Sequence, residues 1–194
     1  MKTPHIVIGT AIAATLIGVG AMALAGVDQE GARAAASLTA RWAFVWFITA
    51  WSASSVAKLW PGGWRTALLR RRRAAGLGFA ANHFVHLGFV FAALSFGAER
   101  SMVTFIFGGL GYVLIAAMAA TSNDTAVRAL GPRRWKLLHS VGGWYVAFIF
   151  ANSYVGRLLG EKPLVGAFGV TLLVVAIGLR IAAFAKGRAR LQAA

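Results

Sequence analysis

The chain has 194 residues, 59% of them apolar and 13% charged, with a mean hydropathy of +0.70; soluble domains run at roughly 45–50% apolar and 25% charged, so this is the composition of an integral membrane protein. Lys and Arg number 20 against 5 Asp and Glu, a net charge of +15, and the cations cluster beside long uncharged stretches, a pattern that excludes disorder and argues against nucleic-acid binding. Cys is absent, which excludes disulfides, thiol catalysis, iron–sulfur clusters and Cys-ligated zinc.

Crossing about 30 Å of hydrocarbon takes roughly 20 residues. Six stretches of that order are predicted as spans: 6–26, 38–57, 74–96, 102–121, 137–155 and 164–185, joined by connections too short for a second domain. The expected fold is all-α, a six-transmembrane-helix bundle. The first stretch follows Lys2 and ends in Ala21-Met22-Ala23 and Ala23-Leu24-Ala25, both similar to signal-peptide cleavage sites. Its apolar run is longer than a usual signal core, so it is read as the first span. The second has a short uncharged core, Trp42 to Ala57, preceded by Arg41, whose long side chain is expected to snorkel to an interface.

Pro61-Gly62-Gly63 breaks the chain after the second span. The third follows Lys58, Arg65 and the run Arg70 to Arg73, and carries Asn82, His83 and His86. After the fourth, Asn123 and Asp124 are expected to cap a short interfacial helix through Leu130, which Gly131-Pro132 ends. The fifth follows Arg133, Arg134 and Lys136, opens near His139, and ends with Asn152, Ser153 and Tyr154. Pro163 suits the first turn of the sixth, where Arg180 is expected to reach the headgroups. Lys186, Arg188 and Arg190 close the chain. Basic connections alternate with weakly charged ones, which places both termini in the cytoplasm.

No acidic residue lies inside a span and no internal repeat is visible, so a relay of buried carboxylates and an inverted-repeat transporter both lack support. What remains is a set of imidazoles. His83 and His86 are three residues apart, on one face of their helix. At 1.5 Å per residue from Arg73, His86 lies about 20 Å deep, and Asn152 rises about 20 Å from His139 to a similar depth. Neutral imidazoles in an apolar bundle suit haem iron, although embedded His and Asn also serve simply to join helices.

Two motifs carry a resemblance. Arg72-Arg73-Ala74-Ala75-Gly76-Leu77 leads into the third span, with His86 ten residues after Gly76, and Arg134-Trp135-Lys136-Leu137-Leu138-His139 opens the fifth. Together, over residues 38–185, they resemble the ferric-reductase-like transmembrane domain, a family that includes the haem subunit of the bacterial methionine sulfoxide reductase system and the membrane part of NADPH oxidases. The resemblance implies a bacterial-type inner membrane protein in which six helices hold haem b, one or two groups, stacked between spans three and five. His86 and His139 are then axial ligands to iron, and Arg72 or Arg73 approaches the haem or its propionates. Family members place a second His thirteen residues beyond the position of His139, where this chain has Asn152. The outer haem is therefore five-coordinate on His86, recruits His83, or is missing.

The 186–194 tail is too short for a flavin or nicotinamide domain, and no dinucleotide-binding glycine motif occurs. Any oxidoreductase role thus needs a separate electron donor: a flavoprotein, a quinone or another cytochrome. The expected partners are membrane lipids, that donor, and other subunits of a larger membrane complex. The rival expectations are a haem-free accessory or scaffold subunit on the same fold, and a metal-ion or solute transporter using His83 and His86.

Overall fold

The computed structural model describes residues 3–192, so Lys2 lies outside the described residues, as does the side chain of Arg190. The chain forms six α-helices: α1 Thr3–Ala25, α2 Gln29–Leu59, α3 Gly63–Ser95, α4 Met102–Ala120, α5 Asp124–Leu158 and α6 Pro163–Gln192. There is no strand among the described residues.

Local chemistry sets the boundaries. Asp28 caps α2 by accepting from Gly31 N at 3.0 Å, and Ser101 caps α4 by accepting from Thr104 N at 3.2 Å. Asn123 caps α5, accepting from Ala126 N at 2.8 Å. The short helix that follows runs into Gly131, whose φ of 76° only glycine adopts freely, and Pro132 restarts the helix at its first turn. The expected breaks at Pro61-Gly62-Gly63 and Pro163 also hold, since α2 ends at Leu59, α3 starts at Gly63 and α6 starts at Pro163.

The basic stretch expected as a loop before the third span is helical. From Trp64 to Ala75 the sequence is rich in Arg, Leu and Ala and has no Gly or Pro, so strong helix formers extend α3 below the apolar segment. Its 33 residues span about 50 Å, well beyond the hydrocarbon thickness.

Four helices, α1, α3, α4 and α6, are long and apolar enough to cross a membrane. The other two are sheltered on one side. α2 packs against α1, α3 and α6, and α5 packs against α4 and α6, so one face of each meets protein, while α5 also presents Val141, Trp144 and Phe148 outward. Likewise α4 presents Val103, Phe105, Ile106, Phe107, Leu110 and Val113 outward, an apolar surface that only lipid or another subunit suits.

The shared core is aromatic. Phe44, Phe47 and Trp51 of α2 meet Phe79 of α3 and Phe150 and Tyr154 of α5, with ring centroids 4.7–6.4 Å apart. Tyr154 lies so close to α6 that any side chain at Gly169 would enter its ring. Helices consecutive in the chain run antiparallel: Thr39 meets His86 while Phe47 meets Phe79, and Thr121 meets His139 while Tyr145 Oη donates to Phe107 O across α4 and α5. α2 and α6 run the same way, because Arg180 bonds Trp51 O at 3.1 Å and Lys186 bonds Leu59 O at 2.7 Å. Both expectations of snorkelling are thereby modified. Arg180 turns onto α2, and Arg41 bonds Ser37 Oγ at 3.2 Å on its own helix. The basic ends of α2, α3, α5 and α6 consequently gather at one end of the bundle.

Candidate cofactor site

The motif-bearing helices α3 and α5 do not pack backbone to backbone. They face each other across side chains, with Phe150 of α5 centred 6.4 Å from Phe79 and 5.9 Å from His83. Toward the basic end, the space between them widens into a cavity of about 820 Å³, within the range of cofactor pockets. Arg72, Arg73, Gly76 and Phe79 form its α3 wall and Trp135, His139 and Gly143 its α5 wall, while Phe47 and Trp51 of α2 and Ile115 and Met118 of α4 close the sides.

His139 is held from two directions. Its ring stacks on Trp135 at 4.1 Å, and Trp135 Nε1 donates to Thr121 O at 2.9 Å, fixing the pair against the end of α4. His139 Nε2 lies 3.2 Å from Thr121 Oγ1. The single Thr121 proton is already donated to Ala117 O at 2.7 Å, so Nε2–H donates to the hydroxyl and the lone pair resides on Nδ1.

His86 obeys the same logic in the opposite sense. Thr39 Oγ1 donates to Ala35 O at 2.8 Å and lies 3.3 Å from His86 Nδ1, so Nδ1–H donates and Nε2 carries the lone pair. That is the arrangement that orients a metal-ligating imidazole. His83 sits beside it, ring centroids 5.1 Å apart, stacked on Tyr112 at 5.0 Å. Among the described residues, His83 Nδ1, Tyr112 Oη and both amide atoms of the fully buried Asn82 have no hydrogen-bond partner. Orphaned buried polar atoms normally mark a place where another polar group belongs.

At the cavity mouth, Arg73 Nη2 bonds Asp124 Oδ1 at 2.5 Å, tying α3 to the start of α5. The guanidinium holds the Asp124 carboxyl below the usual carboxylate range, by hydrogen bonding first and charge second. Arg72 also lines the cavity and has no acidic partner among the described residues.

Of the residues singled out in the sequence, the structure brings His139, Arg72 and Arg73 to one cavity and sets His83 and His86 together beyond it, with Phe79 bordering both groups. It does not bring Asn152 to either. The inward stripe of α5 runs through His139, Gly143, Val146 and Phe150, and Asn152, two residues on, is exposed on another side. Phe150 is what faces His83. The glycines divide too. Gly142 and Gly143 abut Met118 and Trp51, whereas a Cβ at Gly76 would meet nothing closer than Ala50 at 4.0 Å, leaving that wall open. Thr39, Thr121, Tyr112 and Phe150 were not singled out by spacing, since each acts from a different helix than the His it serves.

Compared with known protein families, curated proteins and solved structures, the chain shows no significant match to any of the three.

Proposed function

We propose that the chain is a b-type cytochrome-like membrane protein that holds haem between α3 and α5. The observation that carries this reading is the separation of those two helices around an 820 Å³ cavity with His139 on one wall and Arg72 and Arg73 on the other. The residues fit the group. A lone-pair imidazole is available from His139, and from His86 at the next level. Arg72, without an acidic partner among the described residues, matches an anionic propionate by charge and by its planar donors, with Arg73 beside it held by Asp124. Gly76 leaves a wall without a side chain. Among the described residues no three His, Asp or Glu are grouped to hold a bare metal ion, whereas a macrocycle brings four iron ligands of its own.

When bound, haem iron supplies one-electron transfer. The chain's own residues do the rest. Thr121 and Trp135 fix the His139 ring, Thr39 fixes His86, Phe79, Ile115 and Met118 exclude water, and Arg72 with Arg73 neutralises acidic groups at the mouth. On this reading the protein lies in a bacterial-type inner membrane with all six helices spanning, its basic end in the cytoplasm. It takes electrons from a separate flavoprotein, quinone or cytochrome, as one subunit of a larger complex.

The test is haem content per chain in His139→Ala beside His5→Ala, a control at an exposed histidine. His139→Ala should lose most of the haem and His5→Ala none; equal retention in both overturns the assignment. The haem-free scaffold is favoured by one observation, that Asn152 faces away and Phe150 packs against His83. It expects a colourless protein.

A further inference from the structure

A second groove, of about 430 Å³, lies along the seam of α2 and α6 near the basic end. Ser54, Ser55 and Lys58 line it from α2, Trp144 from α5, and Arg180 and Phe184 from α6. Arg180 is pinned at its head: one nitrogen donates to Trp51 O at 3.1 Å, and the guanidinium lies 4.6 Å over the Trp51 ring and 5.6 Å from that of Trp144. Its other N–H groups have no protein acceptor among the described residues. Two turns lower, Lys58 Nζ lies against Gly187, where any side chain would collide with it.

Among the described residues no carboxylate is placed to neutralise this pair. The chain has five acidic residues. Asp28 and Glu30 stand at the start of α2, Glu99 follows α3, and Glu161 precedes α6, all at the opposite end of the bundle. Asp124 is engaged by Arg73. Two cations and two hydroxyls therefore converge beside an apolar wall, with Ile181 and Phe184 about two-thirds exposed. Cations at a bilayer boundary attract anionic headgroups, and the exposed apolar wall suits an anion attached to hydrocarbon.

We infer that this groove binds the phosphate headgroup of an anionic phospholipid, with Arg180, Lys58 and the Ser54 and Ser55 hydroxyls on the phosphate and the acyl chains along Ile181 and Phe184. The inference is independent of haem and needs only that the helices lie in a bilayer. Its occupant would fasten the ends of α2 and α6 that Lys186 already joins.

The test is native mass spectrometry of the full chain in mild detergent, titrated with phosphatidylglycerol or phosphatidylcholine. Wild type should retain phosphatidylglycerol in preference. Lys58→Gln and Arg180→Gln should each weaken its binding roughly fivefold, and Lys162→Gln, at the far end, should leave it unchanged. Because Arg180 also anchors α2, Lys58→Gln decides the matter if Arg180→Gln fails to fold, since the Lys58 side chain makes no hydrogen bond among the described residues. Undiminished binding in Lys58→Gln, or equal retention of the two lipids, overturns the proposal. Displacement by inorganic phosphate would assign the groove to a free anion and overturn the lipid assignment.

Discussion

Two threonines decide what His86 and His139 can do. Each accepts a hydrogen bond from one ring N–H because its own hydroxyl proton is donated within its helix, Thr39 to Ala35 O and Thr121 to Ala117 O. Replacing such an orienting partner typically costs 10–100-fold in affinity at a metal site. Thr39→Val and Thr121→Val should therefore speed haem loss to a competing apoprotein by about tenfold, with folding intact; unchanged loss rates would show that the threonines only pack. The histidines themselves were legible in the sequence, because imidazoles in an apolar span are rare. Their partners were not, since Thr39 lies 47 residues from His86 and no spacing rule links separate helices. The Asp124–Arg73 pair gives a pH dependence with a definite sign. Its lowered carboxyl contributes stability that is present above the unfolded carboxylate pKa of about 4 and lost as pH falls through the folded value. Thermal melts of Asp124→Asn and wild type should differ near neutrality and converge in acid; a constant difference would contradict the pairing.

Among the elements, α5 depends most on one backbone position. Gly131 holds φ at 76° and ψ at 152° between the capped interfacial turn and the span, a region that is nearly exclusive to glycine and costs an L side chain about 1–3 kcal/mol. Gly131→Ala should destabilise the protein by about that much in denaturant titrations, whereas Ala at the neighbouring exposed Arg133 should not. Gly76 contributes differently, through the space it leaves. Gly76→Leu should push a side chain into the cavity and lower haem content while leaving the melting temperature within a few degrees; full haem content would place the cofactor elsewhere. The breaks between helices were legible, because Pro61-Gly62-Gly63, Asn123-Asp124, Gly131-Pro132 and Pro163 each break or cap the chain chemically, but the helix lengths were not: α2 begins at Gln29 rather than 38 and α6 runs to Gln192 rather than 185. The helical character of the Arg70 to Arg73 run was not. Charge density marks an interface but carries no information about backbone conformation, and propensity settled it. Nor could the sequence place Asn152, whose side of α5 depends on which stripe the aromatic core selects.

At the scale of the molecule, alternating helix directions put the basic ends of α2, α3, α5 and α6 together, and the proposed topology turns that end to the cytoplasm. The chain has no Cys, so single cysteines report sidedness cleanly. Arg128→Cys should react with an impermeant maleimide only from the cytoplasmic face and Glu99→Cys only from the other; both reacting from one face would contradict a six-span path. The four apolar helices pack against two less apolar ones, α2 and α5, and those two carry most of the aromatic core and the cavity wall bearing His139. The central claim is that this hollow between α3 and α5 holds haem. Its most direct test is the oxidised and dithionite-reduced visible spectrum of the protein purified in mild detergent, with haem counted per chain. A reduced b-type spectrum at about one haem per chain or more is expected; a colourless protein, purified with haem supplied during expression, would contradict it.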